Sequence, residues 1–337
     1  MTAKYFFIFL IFFSLSSCLG QEKETSDFTI AFGSCNNQFL KNNLWGEIKK
    51  HNPDLFIWGG DVIYSDTDKP EVMIKNYDML LQNDDYKAFK NEFEILGTWD
   101  DHDYGQNDGG ASYPMKEKSQ ELFLDFLGVS KNDPRRAQKG IYYSKNFPVD
   151  NKLIKVIVLD TRYFRSDLEK AKDGNKRYIP KNGGTILGQE QWEWLENELN
   201  DSKADFHIIM SSIQVWSNEH GFETWGNMPD EVTKLDMLLS RTHAKNVIFL
   251  SGDRHISEIS AKKIQGVNYP VIDFTSSGMT HAYTSYKGEP NPYRVSDVIF
   301  QNNFGILHFD LKNNSVQMEI RGEKNLLLQS HAQKYPK

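Results

Sequence analysis

The sequence contains few cysteines, which limits how the chain can be stabilised. Cys18 and Cys35 are the only thiols among 337 residues, so a disulfide-rich secreted scaffold is excluded. Basic charge is also scarce, because 39 Lys and Arg residues stand against 46 Asp and Glu, for a net charge of −7. Proteins that bind a nucleic-acid backbone need a positive face. We therefore expect no specific nucleic-acid binding.

The sequence also lacks internal repeats and Pro/Ser-rich linkers that would divide it into several units. Its hydrophobic share of 39%, charged share of 25% and aromatic share of 13% are those of an ordinary globular enzyme. A chain of this length can bury one large core. We expect a single domain over residues 28–337, and a monomer.

The first residues have the features of an export signal that ends in a lipid-attachment site. Residues 5–13 are almost entirely apolar after a lysine, and residues 15–18 read LSSC, with small residues before a cysteine. The apolar run is too short to span a membrane and has the length of a signal peptide. We predict a signal peptide at residues 1–17, lipidation at Cys18 and a tether at residues 18–27. The protein would then be exported and lipid-anchored at the cell envelope; the alternative is a plain signal peptide with an incidental cysteine.

If Cys18 carries lipid, Cys35 is a lone thiol in an exported protein. A cysteine without a disulfide partner in an oxidising compartment needs an explanation. Two readings stay open, a small buried hydrophobic residue and a metal ligand.

Apolar runs alternate with amphipathic stretches, and this alternation predicts an α/β fold. The predicted strands of the first part are residues 28–32, 55–58, 93–96, 153–159, 206–210 and 247–250. The predicted helices are residues 44–50, 72–81, 114–127, 188–199 and 232–239. The last third is strand-rich, with predicted strands at residues 271–274, 304–309 and 316–320. We expect mixed β-sheets flanked by helices.

Side chains that bind metals or phosphate follow five of the predicted strands. In chain order they are Cys35, Asp61 with Tyr64, Asp101 with His102, Asp160 with Arg162, and Asp253 with His255. In open α/β sheets the functional site lies at the carboxyl ends of the strands. A single aspartate at such a place is more often a helix cap, but five occupied strand ends are hard to explain by capping. We predict that these residues share one site.

The first three of these residues suit a metal ion that accepts soft or charged ligands. Cys35 offers a thiolate, which suits iron or zinc and not calcium. Tyr64 offers a phenolate for a ferric ion, with a packed aromatic side chain as the alternative. Asp61 follows a glycine, which permits a tight turn, and its two oxygens suit a carboxylate shared between two ions.

The later residues predict a second, different metal ion. Asp101 and Asp253 supply hard oxygens, which suit Ca²⁺, Mg²⁺ or Mn²⁺, and His255 adds an imidazole nitrogen. Two metal ions close together would bind a phosphate group, activate a water as the nucleophile and stabilise the transition state of hydrolysis.

Other side chains are candidates for acid catalysis and substrate binding. His102 could protonate the leaving alkoxide as a general acid, with a surface or packing histidine as the alternative. Arg162 is the main candidate for binding phosphate oxygens, with Arg165 and Arg254 as weaker candidates; Arg162 could equally be a structural salt-bridge partner.

A Trp-rich loop after the predicted strand at residues 206–210 could line the substrate pocket. It contains His220 and Trp225, which we predict to contact substrate, and also Trp216. An aromatic loop of this kind would bind an acyl, sugar or base group.

Five segments together resemble the alkaline phosphatase D (PhoD-like) family of the calcineurin-like metallophosphoesterase superfamily. They are FGSC at 32–35, GDVIY at 60–64, TWDDHD at 98–103, LDTR at 159–162 and SGDRH at 251–255. The resemblance covers residues from about 28 to 260, and the set is specific although each segment alone is weak.

The resemblance implies a four-layer αββα fold, hydrolysis of phosphomonoesters or phosphodiesters, and an iron-plus-calcium centre. Carried over by motif, the iron ligands would be Cys35, Asp61, Tyr64 and one of Asp253 or His255. The second metal ion would face Asp61, Asp101 and the remaining member of that pair. The wider superfamily has a histidine where this chain has residues 210–214, so Ser212 or Gln214 could supply an oxygen ligand instead, which would favour calcium over zinc.

Three functions stay open at this point. The first is a phosphomonoesterase of the cell envelope, and the second is a phosphodiesterase acting on phospholipids or phosphate-containing polymers. The third is a catalytically inactive, lipid-anchored binding protein on the same scaffold.

Overall fold

The computed structural model describes residues 26–172, 174 and 176–336. The predicted signal peptide, Cys18 and most of the predicted tether lie outside these residues. Two six-stranded mixed sheets with helices on their outer faces form a four-layer αββα fold, which confirms the predicted fold class. Among the helices of the described part, none has the length and apolar character needed to cross a membrane.

The elements alternate along the chain much as the sequence predicts. The strands are β1 (Phe28–Gly33), β2 (Leu55–Gly59), β3 (Glu94–Thr98), β4 (Tyr143–Val149), β5 (Lys152–Val158), β6 (Glu169–Lys170), β7 (Tyr178–Ile179), β8 (Phe206–Met210), β9 (Val247–Ser251), β10 (Glu258–Lys262), β11 (Val271–Thr275), β12 (Asn303–Asp310), β13 (Ser315–Gly322) and β14 (Leu327–Lys334). The helices are α1 (Trp45–Lys49), α2 (Pro70–Leu81), α3 (Asp84–Glu92), α4 (Asp101–Tyr104), α5 (Lys116–Leu127), α6 (Gly188–Leu199) and α7 (Pro229–Thr242).

The two large sheets each combine parallel and antiparallel pairs. The first has the order β14-β13-β12-β1-β2-β3, and the second has the order β10-β11-β9-β8-β5-β4. The strands β1, β2 and β3 are parallel, as are β5, β8, β9 and β11. The strands β6 and β7 form a separate antiparallel ribbon.

The sheets pack face to face because the strands present apolar side chains on the inner face. On β1, Phe28, Ile30 and Phe32 belong to the core between the sheets, while Ala31 belongs to the core under the outer helices. This alternation is the period of two that a strand imposes. The ring of Phe32 packs against that of Phe274, from the opposite sheet, in an edge-to-face arrangement with ring centroids 4.8 Å apart.

The carboxyl ends of the parallel strands of both sheets meet at one edge of the molecule. Gly252, directly after β9, approaches the first sheet so closely that a Cβ there would lie 2.7 Å from the Cβ of Ser34 and 2.8 Å from the carbonyl oxygen of Gly59. Only glycine permits this approach without displacing backbone. The residues that follow β1, β2 and β9 are therefore brought together.

Candidate metal centre

Four of the six predicted metal ligands have a left-handed backbone conformation. The φ angles are +60° at Cys35, +50° at Asp61, +67° at Asp253 and +54° at His255. Each such residue costs on the order of 1–3 kcal/mol and is usually found where function requires it. All four lie just after a strand, so the chain turns sharply and points these side chains at a common centre.

Gly60 allows the ends of β2 and β3 to lie against each other. It has φ of +91°, and a Cβ there would lie 2.4 Å from the Cβ of Asp100. Any side chain at this position would push apart the turns that carry Asp61 and Asp101.

Cys35, Tyr64 and His255 converge on the carboxylate of Asp61. The Sγ of Cys35 lies 3.3 Å from Oδ2 of Asp61, and the Tyr64 hydroxyl donates to the same oxygen at 3.3 Å. The Tyr64 hydroxyl is also 3.3 Å from Nε2 of His255. A thiol, a carboxylate, a phenol and an imidazole thus surround one point. Of the two candidates for the fourth ligand beside Cys35, the side chain of His255 lies in this group and that of Asp253 does not.

The remaining acids form a second group beside the first. One oxygen each from Asp100, Asp101 and Asp253 lie within 4.8 Å of one another, and Asp61, Asp101 and His102 also offer atoms within 4.8 Å of one another. Asp61 therefore lies between the two groups, as a shared carboxylate must. Oδ1 of Asp101 is buried and has no hydrogen-bond partner among the described residues, so it is free to bind a cation.

The electrostatics of this centre favour bound cations. Burial raises the pKa of Asp61 and of Asp253 well above the usual range, and neighbouring acidic groups raise both further. Burial also raises the pKa of the Cys35 thiol to about 11. Metal ions supply the positive charge that keeps such groups deprotonated. The donor set fits one ion with S, N and O ligands and one with oxygen ligands.

His102 lies at the edge of this centre, where Asp66 and Tyr64 hold its ring. Its Nδ1 is 2.6 Å from Oδ2 of Asp66, and the ring stacks on Tyr64 at 4.1 Å between centroids. Burial lowers the pKa of His102, but the carboxylates of Asp61, Asp66 and Asp101 raise it to about 11.

A cavity of about 430 Å³ opens above the two ligand groups. We call it the strand-end pocket, and its size is that of a small-molecule site. It is lined by Asp101, His102, Asn107, Asp108, Arg177, Phe222, Glu223, Asp253, Arg254, His255, His281, Ala282 and Tyr283.

Residues 30–320 match the family description of PhoD-like phosphatases. The chain belongs to the PhoD-like phosphatase family. Alkaline phosphatase D of Bacillus subtilis (strain 168) is 27% identical in an alignment 222 residues long, which covers 57% of this chain and 38% of that relative. The match thus covers well under half the length of this curated relative.

Solved structures share the fold of this family member. A structure of PhoD superposes with a TM-score of 0.70 at 19% identity, over 91% of this chain and 69% of the other. A dimetal phosphatase from Danio rerio gives a TM-score of 0.59 at 12% identity, over 93% and 100% of the two chains. GAP50, described as the anchor in the inner membrane complex of Plasmodium, gives 0.61 at 14% identity, over 92% and 89%. At these identities the similarity shows the fold alone.

Arg162 of this PhoD-like chain is not on the pocket wall. Its side chain is 0% exposed, with Nη2 2.5 Å from Oδ1 of Asp100 and Nη1 2.6 Å from Oε2 of Glu223. Arg165 likewise pairs with Oε1 of Glu223 at 2.8 Å. The guanidinium of Arg162 therefore has the geometry of the salt-bridge alternative, between Asp100 and Glu223.

Asp160, the fourth strand-end acid, also has a structural position. One oxygen accepts from the indole N–H of Trp99 at 2.9 Å and from the backbone N–H of Tyr163 at 2.9 Å, and the other accepts from the backbone of Ile141. Asp160 thus organises its own loop and lies apart from the two ligand groups.

The Trp-rich loop reaches the pocket through residues other than the predicted ones. Trp225 is 0% exposed and donates its indole N–H to Ser211. Nδ1 of His220 accepts from the backbone N–H of Phe222 at 3.1 Å, behind the pocket wall. The pocket is lined instead by Phe222 and Glu223 of the same loop.

Of the two oxygen ligands suggested in place of the missing histidine, the Ser212 hydroxyl has protein partners, whereas Oε1 of Gln214 is buried without a hydrogen-bond partner among the described residues. The Ser212 hydroxyl donates to Oδ1 of Asp100 at 2.6 Å, and the amide of Gln214 donates to Glu258 at 2.8 Å, away from the centre. The structure instead brings Asp100, Asp108 and Glu223 beside Asp101.

His281 and Asp108 are part of the site although we do not predict them from the sequence. The His281 ring lies 4.5 Å from that of His255 and 4.9 Å from that of Tyr64. Oδ2 of Asp101 accepts from the backbone N–H of Asp108 at 2.7 Å. The available signals are weak: His281 follows the predicted strand at residues 271–274 by several residues, and Asp108 lies in a glycine-rich loop.

Proposed function

We propose that this PhoD-like chain is a metal-dependent phosphoric ester hydrolase. The observation that carries the proposal is the convergence of a thiol, a phenol, an imidazole and several carboxylates at one buried centre, beneath the strand-end pocket. The family and the alkaline phosphatase D relative support this reaction class.

The two ligand groups suit Fe³⁺ and Ca²⁺. Cys35, Tyr64 and His255 would hold the iron, Asp101 and Asp253 would hold the calcium, and Asp61 would serve both. Zn²⁺, Mn²⁺ and Mg²⁺ are the other ions that the same donors accept. When bound, the ions supply positive charge that polarises the phosphoryl group and lowers the pKa of water.

His102 is our proposed general acid. Asp66 holds Nδ1 and Tyr64 supports the ring, so Nε2 is the nitrogen that remains to give a proton to the leaving alkoxide. The backbone N–H of His102 also donates to Oδ1 of Asp61 at 3.2 Å, which couples the position of the acid to that of the shared carboxylate.

We also propose that the protein is exported and held at the cell envelope by lipid on Cys18. The support is the apolar run and the LSSC segment at residues 5–18. The Cys18→Ser variant should move from the membrane fraction to the soluble fraction; an unchanged distribution would contradict the anchor.

Turnover of p-nitrophenyl phosphate and of its bis ester by the purified protein tests the hydrolase proposal. Activity should vanish after chelation and return with Fe³⁺ and Ca²⁺. The Asp101→Asn variant should be inactive with its fold intact, whereas the exposed Asp78→Asn on α2 is the matched control. Absence of turnover of either ester by metal-loaded protein would favour the inactive binding protein instead.

A further inference from the structure

We propose that Arg254 binds a non-bridging oxygen of the substrate phosphate and makes the strand-end pocket selective for phosphomonoesters over phosphodiesters. This inference rests on the proposed phosphoric ester hydrolysis and names the substrate class of the same site.

Two neighbours fix the guanidinium of Arg254 in the pocket wall. Nη2 donates to both carboxylate oxygens of Glu289, at 2.8 Å each, and Cζ lies 4.3 Å from the centre of the Phe222 ring. The side chain is only 6% exposed. A long side chain held from two sides loses little further freedom when it binds a ligand.

Arg254 also has hydrogen-bond donors to spare. Its side-chain hydrogen bonds to described residues all come from Nη2, and its Nε is buried without a partner among those residues. A buried N–H without an acceptor is costly and needs an explanation. Nη1 makes no hydrogen bond to a described residue either and, unlike Nε, is not among the fully buried atoms. Since Arg254 lines the pocket together with Asp253 and His255, an anion bound there would accept from Nη1.

The other arginines near the centre are less suited to this role. Arg162 and Arg165 are buried and paired with Asp100 or Glu223. Arg177 lines the pocket but is half exposed and pairs with Oδ2 of Asp108 at 2.7 Å. Nη2 of Arg162 and Nε of Arg165 also lack a hydrogen-bond partner among the described residues, but neither arginine lines the pocket. Arg254 alone among these four is both buried and part of the pocket lining.

The chemistry of the two ester classes makes such a residue selective. A phosphomonoester dianion has three non-bridging oxygens, whereas a phosphodiester has two and one less negative charge. An extra cationic donor beside the metal centre therefore gains more from the monoester. Trp216 and Trp225 of the Trp-rich loop are buried away from the pocket. Phe222, the aromatic residue of that loop that lines the pocket, packs against the guanidinium of Arg254.

The test compares the full-length protein with its Arg254→Met and Arg254→Lys variants. The kcat/KM values for p-nitrophenyl phosphate and for bis(p-nitrophenyl) phosphate give the selectivity, and calorimetric titration with inorganic phosphate gives an affinity that does not depend on turnover. Elemental analysis confirms that each variant keeps its metals. Arg241→Met is the matched control, because Arg241 also forms a two-point pair with a glutamate, Glu196, but on the surface of α7.

We expect Arg254→Met to lower kcat/KM for the monoester by about 10- to 100-fold more than for the diester, because a hydrogen bond to a charged group is lost. Phosphate affinity should fall by a similar factor. Arg254→Lys keeps the positive charge but loses the paired guanidinium donors, so its selectivity and phosphate affinity should lie between those of Arg254→Met and the unaltered protein. Unchanged selectivity and unchanged phosphate affinity in a metal-loaded variant would overturn the proposal. Should Arg254→Met fail to fold, the same two outcomes apply to Arg254→Lys. If the unaltered protein hydrolyses neither ester, the hydrolase proposal fails, while the phosphate titration still decides the role of Arg254.

Discussion

The two ends of the central strands differ in character. At the carboxyl ends, Cys35, Asp61 and Asp253 adopt left-handed backbone conformations, and several acidic side chains are buried close together. At the opposite end, β8 begins with Phe206, whose ring packs against those of Phe309 and Tyr335 at 5.3 and 5.4 Å. The carboxyl ends contain strained backbone and neighbouring side chains of like charge, whereas the opposite ends are packed by apolar side chains. Stability and function are thus separated along the same strands, and substitutions at the two ends should have opposite signatures.

The largest effect should come from Asp61→Asn. The amide cannot serve as a charged bridge between the two ligand groups, so we expect kcat/KM for p-nitrophenyl phosphate to fall by at least about 10³-fold. Since one buried acid is removed from a group of acids, thermal stability without metals should hold or rise. Two results would contradict the distinction between the two ends of the strands. One is full activity in Asp61→Asn, and the other is unfolding of Asp61→Asn under conditions in which Asp78→Asn stays folded.

Phe206→Ala should give the reverse signature. Loss of this buried ring should lower the free energy of unfolding by about 3–5 kcal/mol, as measured by denaturant titration. Metal content and kcat of the folded fraction should stay at the level of the unaltered protein. Loss of metal from folded Phe206→Ala protein would show that the core and the site are not separable.

Much of the fold could be predicted because central strands are continuous apolar runs, as at Leu55–Gly59 and Val247–Ser251. The edge strand β4 could not, since its exposed lysine and asparagine and its proline hide the strand pattern. The short helix α3 was missed as well, because its nine residues offer too few turns for a clear apolar face.

In the site, the strand-end acids and Cys35 are visible in the sequence because each follows directly on an apolar run. The roles of the arginines are not. Arg162 and its partner Glu223 are 61 residues apart, and Arg254 and Glu289 are 35 residues apart. The packing of distant loops decides which arginine forms a salt bridge with a buried carboxylate and which one remains available to substrate. Local sequence does not encode that packing.

At the apolar end, His207 follows Phe206 and should make the folding stability depend on pH. It is fully buried, its Nδ1 faces the carbonyl of Lys245 at 2.7 Å, and burial lowers its pKa to about 4. Between pH 6.5 and 4 the unfolded chain therefore binds a proton that the folded chain does not, so stability falls as the pH falls.

In the His207→Gln variant, the loss of unfolding free energy between pH 7 and pH 4.5 should shrink by about 2 kcal/mol relative to the unaltered protein. Denaturant titrations at the two pH values measure it, with the exposed His243→Asn as the control. An equal loss in His207→Gln and unaltered protein would contradict burial of a neutral imidazole there.

The smallest effect should come from Asp66→Asn, at the rim of the site. It weakens the contact that orients His102, so we expect a fall in kcat of about tenfold with little change in metal content. The exposed neighbour Asp68→Asn should leave kcat unchanged. Equal rates in both variants would mean that Asp66 does not position His102.

The central claim, a mixed metal centre at the strand ends, is tested most directly by elemental analysis of the purified protein and its Cys35→Ser variant. We predict iron in the unaltered protein together with a visible tyrosinate–iron absorption band, and loss of both in the variant. Full metal content and full activity in Cys35→Ser would contradict the account, because Cys35 would then serve only to fill the core.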